Sequence, residues 1–395
     1  MHRRATAALG VLLAAASAAD AQDRVTVIRG GQVHTIASGV IEDGVVLVQG
    51  GRILDVGRGL AVPPGAEVVE AGGLMVTPAA IDARATIGIG LLDRWETSRA
   101  VVPQLRILES WSLPENHDWV REGVTAVYLT PGPQNVLGGM GAVVKLAGPY
   151  GEALVTEAAG MSASLGEVPK QSFGENAPRT RMGAVSLIRD AFVRAQEHLS
   201  SKPASRDPGI EALGRVLRRE VPLRVQANTP DDIMNAVRLA REFDLRLVID
   251  VGVGAHAVAG KLAAAGVPVV VGPNVIGAGG GGRYEFALHT EENAARLHRA
   301  GVKVALCTDD DGGRSVVVEA AVSRAHGLPE AEALKAITLG AAEILGVADR
   351  LGSIAKGKDA DLVIWKGHPL STWGRAEKVL VGGRVVFDRT ARQRP

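Results

Sequence analysis

At 395 residues, of which 46% are hydrophobic and 22% charged, the chain can bury a large core, either as one α/β barrel or as two domains. Its 44 Lys and Arg stand against 43 Asp and Glu, a net charge of +1, so no basic surplus exists to neutralise a phosphate backbone. With no basic run and no aromatic stacking cluster, nucleic acid is excluded as a partner.

The first 21 residues read as a targeting segment. His2-Arg3-Arg4 is a positive start, Ala5 to Ala18 an Ala- and Leu-rich apolar stretch, and Ala19-Asp20-Ala21 a small-x-small cleavage site before Gln22. The apolar stretch is short of the roughly 20 residues that cross a bilayer, so an uncleaved anchor is the weaker reading. The expectation is export to the periplasm or beyond, cleavage after Ala21, and no membrane anchor on the mature chain. The single cysteine, Cys307, then excludes an internal disulfide. It lies in the apolar run Val302 to Cys307, which suits a buried small hydrophobe better than a nucleophile.

From residue 24 to residue 75 the chain reads as short strands separated by glycine turns: Arg24 to Ile28, Val45 to Ile53 around Gly50-Gly51, and Val68 to Gly73. The same style returns in Ala360 to Trp365 and in Val379 to Phe387 around Gly382-Gly383. Two β segments flanking a long α/β middle predict one small β-sandwich built from residues 22–75 and 349–395, with a barrel over 76–348. Between Gly123 and Gly166, three strand-like runs (Val124 to Leu129, Ala142 to Leu146, Ala153 to Glu157) have connections too short for parallel crossovers, so one or two of them are expected to be hairpin insertions.

The second half is more regular. Leu223 to Ala227 leads into Thr229-Pro230-Asp231-Asp232, a helix start with a capping hydroxyl, a first-turn proline and acids at the positive end of the dipole. That helix should run to about Phe243. Strands at Leu245 to Val251, Val267 to Val271 and Val302 to Cys307 alternate with helices near 255–265 and 291–300, the rhythm of a parallel sheet. The expected fold is α/β, a (β/α)8 TIM-like barrel distorted in its first half.

The segment Gly73-Leu74-Met75-Val76-Thr77-Pro78-Ala79-Ala80-Ile81-Asp82-Ala83 resembles the first-strand signature of the amidohydrolase superfamily. Further segments, Gly123 to Gly132, Leu137 to Lys145, Thr180-Arg181-Met182-Gly183 and the ending Leu351 to Ile364, make the chain similar to the imidazolonepropionase-related branch over nearly its whole mature length. The resemblance implies metal-assisted hydrolysis of C–N bonds at the strand C-termini, and there the chain departs from it. Active members continue the first strand with His-x-His, which aims two imidazoles at one cation; here Arg84 and Thr86 stand in those places. The fifth-strand histidine falls on Gln226, with Asn228 two residues on, and the sixth-strand histidine falls near Asp250. The eighth-strand aspartate alone is kept, as Asp309.

Neither threonine nor arginine replaces an imidazole, since a guanidinium stays protonated and offers no lone pair. Removing a dication would leave Asp250 and Asp309 uncompensated, so an Arg84–Asp309 or Arg84–Asp250 pair is expected in its place. Asp309 has a second reading as a cap of the turn through Asp310 to Gly313. Lys145 has one as a carboxylated lysine bridging two metals, which requires Ala142 to Leu146 to be the fourth barrel strand. Of the histidines, His34, His117, His198, His289, His298, His326 and His368 show no metal-type pairing, and His256 alone follows the sixth strand.

These replacements point to a protein that lacks the usual metal-dependent reaction and has no cofactor. It would bind a small molecule or peptide in the old pocket beside the loop Pro131 to Gly139, or act as a subunit in a homo-oligomer or beside an active homologue. The alternative is a hydrolase of amide, lactam or peptide-like C–N bonds. It would use a divalent metal held by the oxygen donors of Gln226, Asn228, Asp250 and Asp309, or Asp309 as a base without metal.

Overall fold

A computed structural model describes residues 25–114, 118–174, 178–201, 205–274, 284–309 and 315–391. The expected targeting segment, the tract Gly277 to Gly282 and the turn Asp310 to Gly313 lie outside the described residues. The chain divides into two compact units, one ending at Ala79 and resuming at Asp349, the other running from Ala80 to Ala348.

The first unit begins with β1 (Thr26–His34), β2 (Val40–Gln49), β3 (Arg52–Arg58), β4 (Glu67–Glu70) and β5 (Met75–Pro78). Gln49 pairs with Arg52 across Gly50 and Gly51, whose φ values of +56° and +78° fit the two-residue turn that matches strand twist. Met75–Pro78 belongs to this sheet, because β5 runs antiparallel to a C-terminal strand through Val76↔Ile364 and Thr77↔Val363.

In the second unit the barrel strands follow in order: β6 (Ala80–Ala85), β7 (Val124–Leu129), β8 (Leu137–Lys145), β9 (Leu154–Ser164), β10 (Leu223–Gln226), β11 (Leu247–Val251), β12 (Val269–Val271) and β13 (Val304–Leu306). They lie side by side in chain order as one eight-stranded sheet. Every neighbouring pair is parallel except those of β8, which runs antiparallel to both β7 and β9. Thus the run Ala142 to Leu146 falls on the returning strand of a hairpin. At the far edge the Asp309 N–H donates to the Arg84 carbonyl at 3.0 Å, bringing β13 round to β6. The helix after β10 spans Pro230–Glu242, and the Thr229 hydroxyl accepts from the Asp232 N–H, as its sequence predicts.

The chain then returns to the first unit with β14 (Leu362–Lys366), β15 (Arg375–Val381) and β16 (Arg384–Asp388). Gly382 and Gly383, at φ +54° and +74°, make the second two-residue turn. The full order is β16-β15-β14-β5-β1-β2-β3, with β4 beside β1. One apolar cluster holds this unit together, with Ile28, Val46, Val48 and Ile53 from the N-terminal strands and Leu362, Ile364 and Leu380 from the C-terminal ones.

The barrel interior is unlike the usual layers of branched aliphatics. Arg224 of β10 is fully buried, and its guanidinium carbon lies 3.9 Å from the centre of the Tyr128 ring of β7. Two glycines make room. A Cβ at Gly160 would stand 2.5 Å from Arg224 Cδ, and one at Gly141 would collide with the Tyr128 hydroxyl. Gly160→Ala should therefore cost about 1–3 kcal/mol through overpacking. Urea denaturation measures it, and an unchanged midpoint would mean that Arg224 has room to move.

Candidate functional site

The C-terminal ends of β9, β10 and β11 place their inward residues at one level, because the ladder pairs Gln226 with Asp250 on one side and with Ser164 on the other. Arg84 reaches across from β6. Its Nε donates to Asp309 Oδ1 at 2.7 Å and its Nη2 to Gln226 Oε1 at 2.6 Å, while Nη1 lies 3.4 Å from Asp250 Oδ2. Arg224 supports the same aspartate from below, with Nη2 at 2.6 Å from Asp250 Oδ1 and Nε at 3.1 Å from Oδ2. Both pairs expected from the sequence, Arg84–Asp309 and Arg84–Asp250, are thus present.

Charges balance within this group. Burial disfavours the Arg84 cation, but the charges of Asp309 and Asp250 outweigh it, and its pKa lies above the ordinary guanidinium value. Arg224 follows the same logic, with burial opposed chiefly by the charge of Asp250. Two guanidiniums face two carboxylates, and a third acid, Asp82, is left over. Its Oδ2 accepts from the Thr308 hydroxyl at 2.6 Å and its Oδ1 from the N–H groups of Thr308 and Arg84. Burial nonetheless pushes Asp82 up to about 7.

Backbone strain collects at the same place. Val251, directly after Asp250, has φ +68°, and the Gly252 N–H donates to the Asp250 carbonyl at 2.8 Å. A β-branched residue at the centre of such a γ-turn costs of order 1–3 kcal/mol. Asp309, at φ +50°, is also left-handed, a conformation that short polar side chains tolerate better.

The other candidates are distributed as follows. Asn228, one alternation beyond Gln226, lies at the mouth, and its amide donates to Glu285. Thr86 is buried past the end of β6, and its carbonyl accepts from Ile89. Lys145 is not at the mouth: in antiparallel β8 it pairs with Ala126 near the start of β7, so it sits toward the opposite end of the barrel. The metal-bridging reading needed Ala142 to Leu146 to be the fourth barrel strand, and β8 is the third and runs antiparallel to its neighbours. Pro131 and Gly138 of the expected pocket loop line a cavity of about 210 Å3 with Leu92, Trp95 and Leu105. His256 is half-buried on the turn after β11, where burial lowers its pKa. Cys307 is fully buried and its thiol is pushed up by burial, as a small hydrophobe requires.

Sequence reasoning missed Arg224 and Tyr128. The signal was there for Arg224, since it lies two residues before Gln226 in an otherwise apolar strand and so shares its face.

The residues at the mouth do not fit a catalytic metal. Arg84 engages Asp309, Asp250 and Gln226 at once, and a dication among those oxygens would face a fixed positive charge. Among the described residues, no group of three or more His, Cys, Asp or Glu side chains is arranged to hold a metal ion.

This architecture is that of an amidohydrolase-type barrel with a sheet formed from both chain ends. A crystal structure of an amidohydrolase from Thermotoga maritima MSB8 is 34% identical, covers 92% of this chain and 100% of its own, and superposes with a TM-score of 0.86. The amidohydrolase family model matches residues 288–386. Amidohydrolase tasK of Hapsidospora irregularis is 27% identical across 87% of this chain, which spans only 40% of that protein. An imidazolonepropionase of Mesorhizobium japonicum is 24% identical across 88% of this chain and 93% of its own. The chain belongs to the amidohydrolase family, with imidazolonepropionase-like relatives.

Arg84→Ala should destabilise the protein by about 3–5 kcal/mol, the usual result of stripping one partner from a buried ion pair. Equilibrium denaturation reads it, and an unchanged melting temperature would show that the pairing carries no stability. A second prediction concerns pH. Asp82 has a folded pKa above its unfolded value, so its contribution to stability is full below about pH 4 and is lost as pH rises through about 7. Asp82→Asn should flatten the fall in unfolding free energy between about pH 5 and about pH 8. Equal slopes in both proteins would mean that Asp82 does not titrate there.

Proposed function

We propose that this amidohydrolase-family protein has exchanged metal-assisted hydrolysis for ligand binding at the barrel mouth, alone or as the non-catalytic subunit beside an active relative. One observation carries the reading: the Arg84 guanidinium holds Asp309, Asp250 and Gln226 together. It neutralises the carboxylates as a cation would, but has no open coordination position and cannot generate a metal-bound hydroxide. Export belongs to the proposal, as do the ligand, small molecule or peptide, and any homo- or hetero-oligomer.

A second reading is favoured by the relatives, an amidohydrolase and an imidazolonepropionase. Here the chain remains a hydrolase of amide, lactam or peptide-like bonds. The Asp309 side chain is 27% exposed, so its carboxylate is open to water. It would take a proton from the attacking water and return it to the leaving nitrogen.

Divalent-metal content of the protein, purified with metals supplied, separates these readings from a metal enzyme. The expected result is far less than one equivalent in a folded protein. Near-stoichiometric metal, removable only with loss of stability, would overturn both. Hydrolysis of amide or lactam substrates that survives a chelator and disappears in Asp309→Asn would establish the second reading over the first.

A further inference from the structure

Above the guanidinium centre the mouth holds a second group of polar side chains that the Arg84 network does not use. Glu285 is 3% exposed, and its Oε1 accepts from the Glu167 N–H at 2.6 Å. Gly166 admits this contact, since a Cβ there would collide with Glu285 Oε1 and would lie 3.7 Å from Asp232 Oδ2. Three carboxylates, Glu285, Asp232 and Glu167, therefore crowd one side of the mouth.

Two of them have cations. Arg181 Nε lies 3.0 Å from Asp232 Oδ1, and Lys170 Nζ lies 2.8 Å from Glu167 Oε1. Among the described residues no cation pairs with Glu285. Burial, with the charges of Asp232 and Glu167 behind it, pushes its pKa up.

Neighbouring polar atoms are short of donors too. Asn228 is 4% exposed; its side chain hydrogen-bonds Glu285, and its Oδ1 has no partner among the described residues. Ser164, 1% exposed, shares the inward face of Gln226 as its ladder partner, and its Oγ also lacks a partner. Leaving a buried acceptor unsatisfied costs about 1–3 kcal/mol, so such atoms mark where a ligand's donors belong. Beside them Leu288 is exposed: a Cβ on Gly254 would stand 2.9 Å from the Asn228 carbonyl and 3.3 Å from Leu288 Cδ1. The surplus carboxylate and the empty acceptors thus belong to the strand ends and loops of the mouth, and Leu288 lies beside the backbone of Asn228.

We infer that the barrel mouth binds an organic primary ammonium group, with Glu285 as its counter-charge, Asn228 Oδ1 and Ser164 Oγ as acceptors, and Leu288 against its alkyl chain. This deepens the reading of the mouth as a ligand site and rests on it. An ammonium brings three donors and one positive charge, which is what the group lacks.

The test is calorimetric titration of the full protein with n-butylammonium, butyramide and butyrate. The expected result is saturable binding of n-butylammonium alone, weakened roughly tenfold or more in Glu285→Gln, which keeps the shape and one acceptor oxygen, and in Asn228→Leu. Circular dichroism confirms that each variant is folded, and the near-isosteric Glu285→Gln decides the matter where Asn228→Leu is not. Equal binding of butyramide, or n-butylammonium binding untouched by Glu285→Gln, overturns the assignment. Butyrate binding in place of n-butylammonium overturns it while leaving a ligand at the mouth. Absence of saturable binding for every probe overturns it too, and the metal measurement still decides the guanidinium-centre reading by itself.

Discussion

A guanidinium bonded to two aspartates and a glutamine at the open end of a barrel is the constraint around which this unit is arranged. Arg84 cannot sit at that level unless Asp250 and Asp309 share its charge, and Asp250 in turn is held by Arg224 from beneath. Arg224 needs the face of Tyr128, and the two side chains fit only because Gly141 and Gly160 carry no Cβ. The strained turn at Val251 and the carbonyl of Arg84 bonded to the Asp309 N–H belong to the same arrangement. Desolvating four charges is expensive, and the cost is met by short, charge-assisted hydrogen bonds among groups that sum to neutrality.

That arrangement fills the strand ends of the family frame with an arginine-centred group of polar side chains. The strand ends of such barrels gather polar residues from several strands, so changing a few side chains changes the centre without touching the scaffold. In this chain a guanidinium supplies the positive charge that carboxylates at strand ends require. It supplies it as a planar donor with fixed directions, and not as a Lewis acid. Family membership is therefore secure, while the reaction has to be argued from Arg84 and its partners.

The reversed strand β8 has its own consequence. Running antiparallel between β7 and β9, it carries Lys145 away from the mouth and brings the loop after β7, with Pro131 and Gly138, toward it. Lys145, a metal bridge only if its strand were the fourth of the barrel, is an interior residue near the start of the parallel strands.

Much of this was legible in the chain. Gly-Gly pairs between alternating apolar runs specified both hairpins of the terminal sheet, because only glycine adopts two consecutive left-handed conformations at low cost. The Thr-Pro-Asp-Asp start fixed the helix after β10 through local capping, and the presence of Arg84, Gln226 and Asp250 at inward strand-end positions could be read from the chain. Alternation also implied that Arg84 and Thr86 share one face of their strand. What the sequence by itself could not decide were relations between residues far apart in the chain: the direction of β8, the sharing of Asp250 by two arginines, the seat of Arg224 on Tyr128, and the carboxylate of Glu285 left without a cation among the described residues. Local pattern sets which face a side chain occupies. Only the lateral order and direction of strands determines which charges meet across a barrel, and at the distances involved that meeting decides their chemistry.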